Sequence, residues 1–249
     1  MKRSILLMFF LLSVLSSSRA QTVDEIIANY FENTGGIEKW KALQGLKIYA
    51  KVNQGGMEIP LEIVQLKDGR QMTSITFQGK EIKQGVFDGT SLWSTNFMTM
   101  KAEKSDTEST ENFKLDIGEF PDPFLHYKER GLKVELLGKE SIEGSETFKI
   151  KLTKKPIKVD GKETDNISFY YFDTENFVPL MLESEMTSGQ MKGMIRQVTF
   201  SDYQDANGII MPFSMSDGIK GQGSQPITIS KIELNPKVDA TAFVIPVDK

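Results

Sequence analysis

A mostly β protein, built on one large curved antiparallel sheet, is predicted by three features of the chain. Apolar and polar residues alternate with period two over most of the length after residue 45. About ten such stretches follow one another without a Pro- or Ser-rich linker or a long repeat. Asp-Gly or Asn-Gly dipeptides fall at 68–69, 88–89, 160–161, 207–208 and 217–218. Such dipeptides are strong hairpin signals because the turn needs positive φ.

The chain opens on a different pattern. Met1-Lys2-Arg3 is a short basic start, residues 5–15 are an apolar run broken only by Ser13, and Ser18 and Ala20 are small. This reads as a secretory signal peptide over residues 1–20, cleaved before Gln21. The apolar run is shorter than the ~20 residues of a membrane span. No cysteine follows to accept a lipid. The expected product is an exported, periplasmic chain of one domain, residues 21–249.

Composition narrows the chemistry. The formal net charge is −4, and losing Lys2, Arg3 and Arg19 takes it to −7. An acidic chain without a basic cluster argues against nucleic acid, and against simple electrostatic docking on anionic lipid. With no cysteine and one histidine, thiol chemistry and multi-histidine metal sites are excluded. His126 has no motif around it and reads as structural. No cofactor is expected, since phosphate-binding and nucleophile-elbow motifs are absent. Glu183 and Glu185 have a spacing that a glycosidase could use. They alternate with other residues, and a solvated sheet face is the plain reading. No enzyme activity is expected.

Two helices precede the strands. Val23, Ile26, Ile27, Tyr30 and Phe31 make one apolar face, with Thr22 or Asp24 as cap and Gly35-Gly36 as stop. A short helix over residues 37–43 holds Trp40. Strands are then expected at 46–52, 61–67, 73–78, 132–137, 147–153, 167–172, 178–186, 194–203, 209–215 and 227–234. Residues 101–130 are the least regular. They read as a polar loop followed by a short helix carrying Phe113, Phe120, Phe124 and Tyr127, which must lie on an apolar surface to be stable.

Six of the methionines lie between Met181 and Met215. Methionine fills irregular cores and lines adaptable apolar sites alike. Alternation places Leu180, Leu182, Met186, Met194, Val198 and Phe200 on one side of neighbouring strands. That side is either ordinary core under a helix or a cavity for acyl chains. Arg196 falls on the same face, where a lone charge either pairs, marks a site or reflects a bulge.

Three stretches together resemble the periplasmic outer-membrane lipoprotein carrier family, the LolA-like proteins. They are the hairpin around Asp88-Gly89-Thr90-Ser91-Leu92-Trp93, the strand–turn–strand from Tyr171 to Leu180, and the terminal Phe243-Val244-Ile245-Pro246. The resemblance implies an unclosed β-barrel whose helices form a lid over an apolar concave face that holds lipoprotein acyl chains. Such a carrier would take cargo from an inner-membrane donor to an outer-membrane acceptor, acting as a monomer. Trp93 and Phe97 of the first hairpin join the candidate cavity set, and Phe113, Phe120, Phe124 and Tyr127 are the candidate lid. Classical members clamp the lid with an Arg-Pro pair. This chain lacks that pair, and Lys67, Arg70 and Arg196 are the candidate polar gate. An envelope sensor on the same fold is the alternative.

Overall fold

The computed structural model describes residues 21–246. The expected signal peptide lies outside the described residues. The first element is helix α1 (Val23–Asn33). Thr22 Oγ1 accepts from the Glu25 backbone N–H, while the Glu25 carboxylate accepts from the Thr22 N–H at 2.8 Å. This reciprocal cap satisfies two donors that the first helical turn leaves open. Ile26, Ile27, Tyr30 and Phe31 form its buried stripe, as the spacing predicts. Gly35 has φ +115°, and a Cβ there would run into the carbonyl of Gly208. Helix α2 (Ile37–Ala42) follows, and its buried Trp40 donates from Nε1 to Thr34 Oγ1 at 3.0 Å.

The strands are β1 (Gly45–Gln54), β2 (Met57–Leu66), β3 (Gln71–Phe77), β4 (Lys80–Phe87), β5 (Leu92–Thr95), β6 (Ala102–Lys104), β7 (Lys133–Ile142) and β8 (Ser145–Thr153). They continue with β9 (Ile157–Val159), β10 (Lys162–Thr164), β11 (Ile167–Asp173), β12 (Pro179–Glu185), β13 (Ile195–Asp205), β14 (Ile210–Ile219) and β15 (Ser224–Leu234). Thirteen form a single antiparallel sheet in the order β6-β5-β4-β3-β2-β1-β15-β14-β13-β12-β11-β8-β7. Every neighbour but two, β1–β15 and β8–β11, is joined by one hairpin. β6 and β7 are its edges and do not pair, so the barrel stays open. β9 and β10 form a separate ribbon.

The sheet has two working faces. One wraps α1. Ala50 pairs with Leu61 on one side and Ile229 on the other, and Ile150 pairs with Leu136 and Tyr170. These residues share one apolar core with the α1 stripe, Trp40, Phe124 and Leu125. The opposite face of β2–β5 holds a second core of Val64, Met72, Val86, Trp93 and Phe243. The tail after β15 crosses this face through a 3-10 turn, Ala240–Phe243.

Three expectations are corrected. The helix of the irregular segment is α3 (Thr107–Asp116), mostly in the half read as a polar loop, and of the four aromatics expected on a helix it carries Phe113 alone. The aromatic half is a short 3-10 turn, Ile117–Glu119, followed by irregular turns. Asp106 Oδ1 caps α3 by accepting from Ser109 N–H at 2.6 Å, and Pro121 and Pro123 keep the following residues out of a helix. Asp217-Gly218 is no turn but part of β14, and the chain reverses after Ile219 instead.

Candidate functional site

The concave face is graded from apolar to polar. Ile150, Tyr170, Leu182 and Val198 lie side by side across β8, β11, β12 and β13. Phe200, Met215, Ile227 and Val52 form the next row across β13, β14, β15 and β1. Towards the other end the row reads Leu152, Ser168, Ser184 and Arg196. Arg196 is therefore on the concave face, and no bulge puts it there. Its Nε and Nη2 donate to the Asp217 carboxylate at 2.9 and 2.5 Å, a two-point pair that holds the charge in place.

The apolar part of this face is covered. Phe124 stands edge-on to Tyr170 at 4.8 Å and to Phe172 at 5.4 Å, and Tyr30 meets Phe172 at 5.5 Å. Segment 120–128 is pinned to α1 at two points. The Tyr30 hydroxyl donates to Asp122 Oδ2 at 2.9 Å, while Asp122 Oδ1 accepts from Phe124 N–H at 2.8 Å. The Tyr127 hydroxyl donates to Asp24, whose carboxylate also takes Lys128 Nζ at 2.6 Å. Burial pushes the Asp122 carboxyl up to about 6. The cover is thus a joint unit of α1 and residues 120–128. Helices over the concave face are what the resemblance implies, and α1 is one of them, although the residues named for the lid do not include it.

An opening of about 640 Å³ is bounded by Asn33, Val178, Leu180, Tyr203 and Ile210, and two others are more polar. A cleft of about 600 Å³ is bounded by Arg70, Gln71, Phe113, Glu119, Phe120 and Arg196. A second, about 470 Å³, is bounded by Lys154, Tyr170, Leu182, Ser184 and again Glu119 and Arg196. Glu119 lies 3.1 Å from the Lys154 ammonium and 3.7 Å from Arg130. Burial, then the neighbouring Asp116 charge, raises its carboxyl to about 7. Gly69 lets the 3-10 turn at Ile117–Glu119 approach the β2–β3 turn, since a Cβ there would sit 2.7 Å from Ile117 Cγ2.

The candidate residues divide accordingly. Phe113, Phe120, Arg70 and Arg196 meet at the first cleft, and Leu182 joins Arg196 at the second. Val198 lies beside Leu182, Phe200 lies one row on, and Leu180 packs on the main core. Phe124 and Tyr127 belong to the cover. The others need correction. Trp93 points to the opposite face, where its Nε1 donates to the Phe243 carbonyl at 2.8 Å. Phe97 is 63% exposed at a hairpin tip. Met186 and Met194 close the β12–β13 hairpin, where positive φ at Gly189 and Gly193 turns the chain before alternation begins. Lys67 is exposed on its turn and borders neither cleft. Glu183 is buried rather than solvated. It accepts from Tyr171 Oη at 2.8 Å and Gln197 Nε2 at 3.0 Å, and pairs with Lys220 at 2.8 Å. His126 is half-exposed and bonds Glu129 at 2.7 Å.

No family model and no curated protein sequence matches this chain. Solved structures do. A DUF1329 family protein from Desulfovibrio piger superposes with a TM-score of 0.54 at 15% identity, over 90% of this chain and 98% of the other. A LolA superfamily protein from Nitrosomonas europaea gives 0.53 at 14% identity, over 90% and 98%. A domain described as an outer membrane lipoprotein-sorting protein, from Vibrio parahaemolyticus, gives 0.52 at 10% identity, over 88% and 94%. With its open antiparallel sheet wrapped around a helical cover, this chain has the LolA-like fold.

Proposed function

We propose that the protein is an exported carrier that takes acyl chains of lipoproteins or other lipids onto its concave face, for transfer towards the outer membrane. The carrying observation is the concave face itself. Its apolar part runs across neighbouring strands inside an open sheet and is covered by elements that are not strands of that sheet. The described form is the closed one. Cargo enters by displacing Phe124 and its neighbours, with Arg196, Glu119 and Lys154 meeting the polar end of the lipid at the clefts. A 16-carbon chain transferred from water contributes on the order of 12 kcal/mol, against which the cost of uncovering the face is set. Residues 1–20 act as the cleaved signal peptide. The first described helix, capped by Thr22, begins just past that cut.

The experiment uses delipidated chain beginning at Gln21 and a fluorescent 16-carbon fatty acid. Binding, with altered hydrogen exchange over residues 113–130, is expected. Absence of binding would favour the sensor alternative. Binding with unchanged exchange over 113–130 would leave a carrier whose gate lies elsewhere.

A further inference from the structure

In an antiparallel sheet the hairpin turns fall alternately at its two ends, and here the ends differ in chemistry. One end carries the turns at residues 54–57, 78–80, 96–101, 186–194 and 220–223, which follow one another along the sheet from β6 to β12. These turns contain no Asp or Glu, and they hold Lys80, Lys101, Lys192 and Lys220. Six of the nine exposed large apolar side chains among the described residues project there, led by Met98 at 94% exposure. At the opposite end the turns themselves hold Asp68, Asp88, Glu143 and Glu175 against Lys67 and Arg70, whereas at the first end acids such as Glu58, Glu81 and Glu185 begin only on the flanking strands. The net negative charge of the chain therefore hides a segregation. The β8–β11 connection, with its own acids, is drawn away onto α3, where the Asp160 and Gly161 N–H groups donate to Glu108 at 2.9 and 2.7 Å.

The most prominent tip is built to project. Asn96 Oδ1 accepts from the Met98 and Thr99 N–H groups at 2.8 and 3.1 Å, and Asn96 Nδ2 donates to Glu103 at 3.0 Å. The polar groups of the tip are satisfied within it, and Phe97 and Met98 face outward. Neighbouring tips are tied together, with Gln225 Nε2 donating to the Asn53 carbonyl and Gln222 Nε2 meeting Met194 Sδ at 3.9 Å.

We infer that this end of the sheet docks on an anionic lipid surface, with the Phe and Met side chains in the headgroup–acyl boundary and the lysines among the phosphates. Exposed apolar tips whose turn residues include lysine and no acid match that environment. The inference goes beyond the carrier reading and does not depend on it, because the concave face takes no part.

The test mixes the chain beginning at Gln21 with vesicles of phosphatidylethanolamine and phosphatidylglycerol, and with phosphatidylcholine vesicles as the neutral reference. Sedimentation with the anionic vesicles is expected, weakening as salt screens the lysines. Met98→Glu combined with Met191→Glu is expected to lower it about tenfold or more. Both positions are exposed turns, and circular dichroism verifies that the fold is kept. Tryptophan emission of a Met98→Trp variant is expected to shift to the blue on binding and to be quenched by brominated lipid, while a Thr90→Trp variant at the acidic end stays unchanged. Failure to bind anionic vesicles, including the case where only a protein partner binds these tips, overturns the inference. So does binding that ignores the double substitution, or a signal from position 90 instead of 98. The fatty-acid titration on the same variants reports separately on the carrier reading.

Discussion

Asp122 is the side chain whose protonation is most directly tied to the cover. Its carboxylate receives the Tyr30 hydroxyl and the Phe124 N–H, so it joins α1 to the irregular segment. Burial raises it from 3.8 to about 6. A carboxyl kept neutral in the fold, but free to ionise when unfolded, contributes its stability in acid. That contribution is complete below about pH 4 and is lost as the pH rises through 6. The residue keeps some contact with solvent, so about 1–2 kcal/mol is expected rather than the full value for such a shift. Asp122→Asn keeps a neutral side chain at every pH. The difference in unfolding free energy between the two proteins, measured in urea at pH 4 and pH 7.5, should move by that amount in favour of the variant at the higher pH. A constant difference would mean that Asp122 ionises in the fold as it does in water.

At the scale of elements, the tail after β15 is a structural strap rather than a loose end. Phe243 is fully buried against Val64, Val86 and Trp93, its carbonyl takes the Trp93 indole N–H, and Lys83 Nζ donates to the Ala242 carbonyl at 2.9 Å. Phe243→Ala should cost about 3–5 kcal/mol in chemical denaturation while leaving fatty-acid affinity within a factor of two or so, because the cores lie on opposite faces. A large loss of affinity at unchanged stability would place Phe243 in the site instead. This strap also shows where the sequence was legible and where it was not. Alternation in β1, β8 and β13 marked which residues share a face, and Leu182, Val198 and Phe200 do. Alternation cannot say which face is concave, so Trp93 was assigned to the wrong one. What buries it is a segment 150 residues away. α3 was illegible for another reason. It has no buried residue and no apolar stripe. It is held by its Asp106 cap and by Asn112, which bonds Lys158 through both its amide groups at 2.6 and 2.8 Å. Those contacts are with the β9–β10 ribbon and carry no periodic signature. Met186 and Met194 read as the end of one strand and the start of the next because methionine fits either setting, whereas each lies one residue beyond its strand, in a hairpin turned by glycines with positive φ.

For the whole molecule, affinity and stability should be opposed. The same apolar face is offered to α1 with Phe124 and, in the carrier reading, to the acyl chain. Apparent affinity is then the intrinsic affinity multiplied by the fraction of molecules whose cover is open. An intervention that weakens the cover, without touching the floor of the concave face, should tighten binding while lowering the stability of the empty protein. Tyr30→Phe does this. It removes one hydroxyl, keeps the ring against Phe172, and leaves the Asp122 carboxylate short of a donor. Losing such a bond costs about 1–2 kcal/mol. The midpoint of thermal unfolding of the empty variant should fall by several degrees. If that loss falls on the closed state alone, fatty-acid binding should tighten by about five- to thirtyfold, at 1.4 kcal/mol per factor of ten. The two measurements must move in opposite directions on the same variant. Lower stability with weaker binding would mean that Tyr30 holds the lipid rather than the cover. α1 would then be a wall of the cavity, and entry would have to pass through the Arg70 and Arg196 cleft without displacing the helix.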